Sequence, residues 1–356
     1  MSKILYAAST MSHINNFHLD YINALRAEGH TVLTMAKGEG ADFDVPFEKK
    51  IFSSQNTKCR REIRKILDRE HFDVIILNTT LAAFHIRLAC RGRGRPRIVN
   101  IVHGYLFSEN TGVIKRTLFL LCEKILKSKT DSVIVMNEDD LKIATENRLA
   151  RGEVYHSLGM GARKKPLANI DSPLFEKRED SFVMSFVGEL SKRKNQAFLI
   201  RALARIRREI DTAELWLIGE GDERENLESL ARECGVAESV KLIGSTPHPC
   251  DFIAKSDLYV SASAIEGLPF NVLEALAYGV PSLISDIKGQ KDIVTHGDSG
   301  FLYPFGDEDA FVDSVLRIRR GEWTLDRENI ISAYEKFSFD KVFKQTLDTI
   351  KKGAEI

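Results

Sequence analysis

The chain has 356 residues, 51 Lys+Arg against 51 Asp+Glu, 43% hydrophobic and 29% charged residues, and neither repeats nor low-complexity tracts. That length exceeds one ordinary core and suits two, and the composition excludes a disordered or fibrous protein. No run reaches the roughly 18 consecutive apolar residues of a spanning helix, and the opening MSKILYAAST has no long apolar core or cleavage site, so a cytoplasmic protein is expected.

Five scattered cysteines (Cys59, Cys90, Cys122, Cys234, Cys250) show no CxxC or Cys/His spacing. That argues for a reducing compartment, and no metal or other cofactor is expected. Charge is uneven along the chain: residues 1–165 carry 27 basic and 18 acidic side chains, residues 166–356 carry 24 and 33. A basic front half suggests that one lobe alone meets an anionic partner, with an anionic membrane surface the partner considered.

In chain order, KILYAAS, HTVLTMA, DVIILNT, RIVNIVH and DSVIVMN are short β-rich apolar runs separated by helix-length amphipathic segments such as FHLDYINALRAEG. This alternation predicts an α/β fold with a doubly wound parallel sheet over residues 1–165. Residues 166–180, polar and without periodicity, read as a linker. The alternation restarts with FVMSFVGE, AELWLIGEG, SVKLIGS, DLYVSAS and VPSLISD, predicting a second Rossmann-like unit over 181–337. Two such units would face each other across a cleft, with ligands at the carboxyl ends of the strands. The amphipathic end of the chain, about 338–356, is expected to pack back on the first lobe.

Four stretches carry chemistry. In SASAIEGLPFNVLEALAYGVP, Glu266 follows a strand and Glu274 sits near the start of the next helix. Backbone donors around Leu268, Pro269, Phe270, Asn271 and Val272 suit phosphate or sugar oxygens, and the two carboxylates suit hydroxyl groups. The pattern equally fits a helix-dipole complement and a plain surface loop. In FVGELSKRKN, Gly188 ends a strand, and Lys192, Arg193 and Lys194 precede a helix where cations neutralise a diphosphate without metal. His103 follows a buried strand, and Gly104 beside it permits close backbone approach. LIGEGDERE has Arg224 where a third glycine would complete GxGxxG, and no P-loop, HExxH or GxSxG occurs.

GVIKRTLFLLCEKILKSKTD sets Phe119, Leu120, Leu121, Ile125 and Leu126 on a helix with Lys115, Arg116 and Lys124. Such a helix lies on an anionic bilayer or packs on the sheet with its lysines in water. The run RLACRGRGRPR lacks aromatic interleaving, so no nucleic acid is expected.

The stretch from Ser261 to Tyr303, with its Glu266–Glu274 pair, resembles the signature of retaining glycosyltransferases of family 4. FVGELSKRKNQAFLIRAL and LWLIGEGDERENLESLARECGVAESVKLIG resemble that family's two upstream segments, in order. SHINNFHLDYINAL and HGYLF are similar to a subgroup that builds exopolysaccharide, capsule or O-antigen units on a lipid carrier. The resemblance implies a GT-B fold, donor in the C-terminal lobe and acceptor on the N-terminal lobe. It implies Glu274 on the ribose and Glu266 on the transferred sugar. Backbone from Leu268 to Asn271 would touch sugar and phosphate, Lys194 would hold the diphosphate, and Gly244 lies by the base. His103 would act near the sugar.

Retention in the family is explained by front-face attack, the leaving phosphate taking the acceptor's proton, so no protein nucleophile is required. Two departures stand out. Glu189 occupies the position where many members carry Arg, so Arg193 is expected to supply the guanidinium. STMSHINNF replaces the front-lobe glycine-rich loop, with Ser9, Thr10, His13 and Asn15 as acceptor-side residues. The expected activity is transfer of a hexose or N-acetylhexosamine from a UDP-sugar to a lipid-linked saccharide, on the cytoplasmic side of the plasma membrane. The alternatives are a sugar-nucleotide epimerase of the same architecture and a catalytically silent sugar-nucleotide-binding partner.

Overall fold

The computed structural model describes the whole chain except Lys49, Phe52, Arg93, Glu109, Asn110 and residues 169–176; much of the segment read as a linker thus lies outside the described residues. The chain divides into two compact units, Met1–Gly161 with Asp340–Ile356, and Ala162–Phe339.

The first unit opens with β1 (Lys3–Thr10), α1 (Met11–Phe17), α2 (Leu19–Ala27), β2 (Thr31–Lys37), β3 (Phe43–Asp44) and α3 (Ser54–Glu70). It continues through β4 (Val74–Leu77), α4 (Thr80–Ala89), β5 (Arg97–Val102), α5 (Val113–Leu126), β6 (Ser132–Val135), α6 (Glu138–Glu146) and β7 (Val154–His156). All pairings are parallel, in the order β3-β2-β1-β4-β5-β6-β7. The central strands are continuous apolar runs because helices cover both faces; Val74–Leu77 is buried throughout.

The second unit runs β8 (Phe182–Val187), α7 (Gln196–Ile206), β9 (Ala213–Ile218), α8 (Arg224–Glu233), β10 (Val240–Gly244), α9 (Pro249–Lys255) and β11 (Leu258–Ser261). It ends with α10 (Phe270–Ala277), β12 (Ser282–Ser285), β13 (Phe301–Tyr303), α11 (Glu308–Arg319) and α12 (Arg327–Lys336). Its sheet order is β10-β9-β8-β11-β12-β13. Chain order reverses between β1 and β4 in one unit and between β8 and β11 in the other. These switch points, at the carboxyl ends of the strands, are where open parallel sheets bind ligands.

The last helix, α13 (Phe339–Ala354), belongs to the first unit over most of its length. Its buried stripe of Val342, Thr346, Leu347, Ile350 and Gly353 follows the helical repeat. The Gly353 carbonyl accepts from Arg97 Nε at 2.8 Å and Ser132 Oγ at 2.9 Å, and a Cβ at Gly353 would stand 3.0 Å from that hydroxyl. A side chain here would have to push the hydroxyl aside, so the glycine favours the close seating of the helix on β5 and β6.

STMSHINNF departs from the expected loop. β1 runs to Thr10 and α1 starts at once, because Thr10 caps it through a bond from His13 N–H and because Met11 and Ile14 bury one helical face.

Candidate donor site and an exposed helix surface

At the switch point of the second unit, the backbone turns sharply after β8. Gly188 has φ +152°, and a side chain at Gly219 would place its Cβ 2.0 Å from the Gly188 carbonyl, so two loops close in on each other here. Gly244, at the end of β10, accepts from Gly219 N–H at 2.9 Å. The loop then presents Arg193 and Lys194 before α7, with Asn195 left-handed at its cap.

Lys194 and Glu266 meet as a buried pair. Lys194 Nζ is 2.5 Å from Glu266 Oε1, the two residues being 8% and 7% exposed. Arg193 Nη1 lies 3.4 Å from the other carboxylate oxygen and donates to Ile265 O at 3.1 Å. One carboxylate thus faces two cations, and the bay carries net positive charge beside strand-end backbone. Glu189 is exposed.

Glu274, on the fifth residue of α10, accepts from Lys165 Nζ at 2.9 Å. Burial works against the Lys165 charge, but the Glu274 carboxylate outweighs it and holds the ammonium above its usual range. Burial, followed by the charge of Glu274, pushes the nearby Cys250 thiol up to about 11, so it is protonated at neutral pH. The Lys165 partner was missed at the level of sequence, where 109 positions separate it from Glu274.

The start of α10 is pinned: Asn271 Nδ2 donates to Val187 O at 2.5 Å, and its Oδ1 accepts from Val272 N–H at 3.0 Å. This corrects one expectation. Val272 is fully buried and its N–H is satisfied by Asn271 and by Pro269 O, so it is no open donor. Leu268 is also buried, and Pro269, which has no N–H, caps the helix ahead of Phe270.

In the first unit, Ser9 bonds Thr79 Oγ1 through both N–H (2.8 Å) and Oγ (2.6 Å), and Thr10 is the α1 cap, so both hydroxyls have structural partners. Asn15 is exposed. His103 joins His13 and a residue that sequence reading passed over, the fully buried His18. Apolar spacing over Met11, Ile14 and His18 was the available signal for the inward face of this segment.

α5 is held by an ion pair. Arg87, fully buried on α4, grips Glu123 with two bonds of 2.8 and 2.9 Å and also donates to Thr130 Oγ1 and Ala83 O. Phe119, Leu120 and Leu126 face inward, whereas Val113, Ile114, Leu118, Leu121 and Ile125 are more than half exposed. Lys115, Arg116, Lys124 and Lys127 are exposed around them. Beside this face lies a cavity of about 250 Å³ lined by Phe84, Tyr105, Leu106, Phe107, Leu118 and Phe119. Among the described residues, no helix is long and apolar enough to cross a membrane.

Comparison with known proteins completes the picture. The family model described as glycosyl transferases group 1 matches residues 170–337, and that of Glycosyltransferase Family 4 matches residues 14–155. Bacillus subtilis EpsD, a protein classed as a glycosyltransferase, is 30% identical over 331 residues, 89% of this chain and 87% of EpsD. The Escherichia coli UDP-Gal:alpha-D-GlcNAc-diphosphoundecaprenol alpha-1,3-galactosyltransferase is 23% identical over 273 residues, 74% of this chain and 70% of its own. The structure of Anabaena HepE in complex with UDP and glucose superposes with a TM-score of 0.75 at 19% identity, covering 99% of this chain and all of HepE. The fold is GT-B, and the chain belongs to the family 4, group 1 glycosyltransferases.

Proposed function

We propose that the protein transfers a hexose or N-acetylhexosamine from a UDP-sugar to a lipid-linked saccharide during cell-surface polysaccharide assembly, with retention at the anomeric carbon. The observation that carries this reading is the buried Lys194–Glu266 pair beside Arg193 at the switch point of the second unit. In this reading Glu266 accepts from hydroxyls of the transferred sugar and Glu274 from the ribose. Lys194 and Arg193, with backbone from Gly188 and from Leu268 to Asn271, stabilise the negative charge that develops on the leaving diphosphate. Gly244 lies on the base side. No metal is needed at the diphosphate. The HepE complex supports UDP as the donor nucleotide, and the name of the Escherichia coli relative supports a polyprenyl-diphosphate acceptor.

The exposed apolar face of α5, ringed by four cations, supports peripheral attachment to an anionic cytoplasmic leaflet, where such an acceptor is anchored. The test is transfer from a panel of UDP-sugars to GlcNAc-diphosphoundecaprenol, with the product's anomeric configuration read by NMR. Retained configuration and loss of turnover in Glu266→Ala are expected. An inverted product, or full turnover by Glu266→Ala, would sink the mechanism. The epimerase alternative has one supporting observation, the grouping of His13, His18 and His103. Appearance of a new UDP-sugar without acceptor would favour it.

A further inference from the structure

The three histidines meet at the strand-end side of the first sheet. His13 comes from α1, His18 from the junction of α1 and α2, and His103 from the residue after β5. His18 Nε2 lies 3.3 Å from His13 Nε2 and 3.0 Å from His103 Nε2, and one ring nitrogen from each residue falls within 4.8 Å of the others. The His103 ring stands nearly perpendicular to both partners, at 83° and 88°. The second nitrogen of His18, Nδ1, is already engaged by Tyr6 Oη at 2.9 Å in the buried core.

A neutral imidazole nitrogen offers either one N–H or one lone pair, each directed in the ring plane, so His18 Nε2 makes one well-directed hydrogen bond while two ring nitrogens stand 3.0 and 3.3 Å from it. Three neutral imidazoles with converging nitrogens are what a borderline-soft metal ion binds. With metal–nitrogen bonds of about 2.0–2.1 Å, a tetrahedral site separates its nitrogens by roughly 3.3 Å; two of the three separations here are 3.3 and 3.0 Å, and the third is bounded at 4.8 Å, so a small turn of the His13 or His103 ring completes the set.

We infer that His13, His18 and His103 form a binding site for one divalent transition ion, with zinc the reference case and the fourth position open to water or a hydroxyl oxygen. Tyr6 fixes the site from behind: with Nε2 on the metal, His18 Nδ1–H donates to Tyr6 Oη, which sets ring orientation and ligand basicity. The ion would tie α1 to the end of β5. The inference rests on the geometry of the first unit and stands apart from the transferase reading; it departs from the expectation of no metal drawn from cysteine spacing, because these ligands come from two distant segments and form no local Cys/His motif.

The test uses tag-free full-length protein stripped with a chelator and titrated with Co²⁺, then displaced by Zn²⁺. One equivalent of Co²⁺ with the visible bands of a low-coordinate nitrogen site is expected, displaced stoichiometrically by Zn²⁺. His13→Gln, at a partly exposed position chosen to spare the fold, and His103→Gln should each weaken binding by more than about 100-fold, and Tyr6→Phe by about 10- to 100-fold. Exposed His248→Gln should bind like the wild type. A cooperative unfolding transition in each variant shows that loss is local. Binding well below one equivalent, or unchanged affinity in folded His13→Gln and His103→Gln, would overturn the site.

Discussion

Glu266→Gln separates two roles that a simple loss of activity would merge. Lys194 is 8% exposed and bonded to Glu266 at 2.5 Å. Replacing the carboxylate by an amide leaves a buried ammonium without its counter-charge, and breaking such a pair by removing one partner costs about 3–5 kcal/mol. For a domain of 150–250 residues each kcal/mol moves the transition by roughly 2–4 °C, so the free variant should melt about 6–20 °C lower. The same change releases Lys194 to face a diphosphate. A hydrogen bond to a charged group is worth about 1.5–3 kcal/mol, so UDP should bind at least about tenfold more tightly to the variant, while transfer of sugar collapses. Calorimetry with UDP and a transfer assay on the same preparation read both numbers. Weaker UDP binding by a folded Glu266→Gln would refute the assignment, because it would put the carboxylate on the nucleotide instead of the sugar.

Glu274→Ala should lower UDP affinity about tenfold, a lost charged hydrogen bond, and calorimetry against ADP will show whether the loss is specific. Glu123→Ala strands the buried Arg87 guanidinium and should destabilise the first unit by about 3–5 kcal/mol, whereas Arg87→Met with Glu123→Leu should recover most of it; chemical denaturation measures both. Ile114→Asp with Leu121→Asp should abolish cosedimentation with vesicles containing phosphatidylglycerol and leave UDP binding intact, and raised salt should weaken the wild type alone. In metal-free protein the depressed His13 titration makes stability fall with acid. The contribution is complete above the ordinary value of about 6.5 and is lost as pH drops towards about 4, up to about 3 kcal/mol, and His13→Gln should flatten that slope in urea melts taken across the range.

How much of this was legible follows from the range of each interaction. The β-rich runs from KILYAAS to VPSLISD all became strands, because both faces of a parallel sheet are covered and the strands read as unbroken apolar blocks. The two- and three-residue strands Phe43–Asp44, Val154–His156 and Phe301–Tyr303 were too short to leave such a block. Glu266 and Glu274 were visible through their loop-helix setting, but their partners were not. Lys194 precedes Glu266 by 72 positions and Lys165 precedes Glu274 by 109, so pairing depends on how strands are ordered in the sheet and not on any local pattern. His18 was hidden for the opposite reason: buried in an apolar helical stripe, it looked like one more packed residue.

Buried ion pairs do comparable jobs in the two units. Arg87 and Glu123 anchor α5 together with the inward face of Phe119, Leu120 and Leu126, and that is why Ile114, Leu118, Leu121 and Ile125 can stand in solvent on a helix that is nonetheless fixed. In the second unit Asn271 fixes the start of α10 through its side chain, so that Glu274 one turn later keeps its place; the proposed assignment has it exchange Lys165 for a ligand hydroxyl. Lys194 and Glu266 likewise hold each other in a compact, neutral arrangement. Under the proposed assignment, a ligand bearing both a diphosphate and sugar hydroxyls would offer each a new partner, whereas a ligand with only one of those groups would release one charge and strand the other. Tighter binding of the intact nucleotide sugar than of the nucleotide or the sugar alone is then the expected result, and calorimetry with all three checks it.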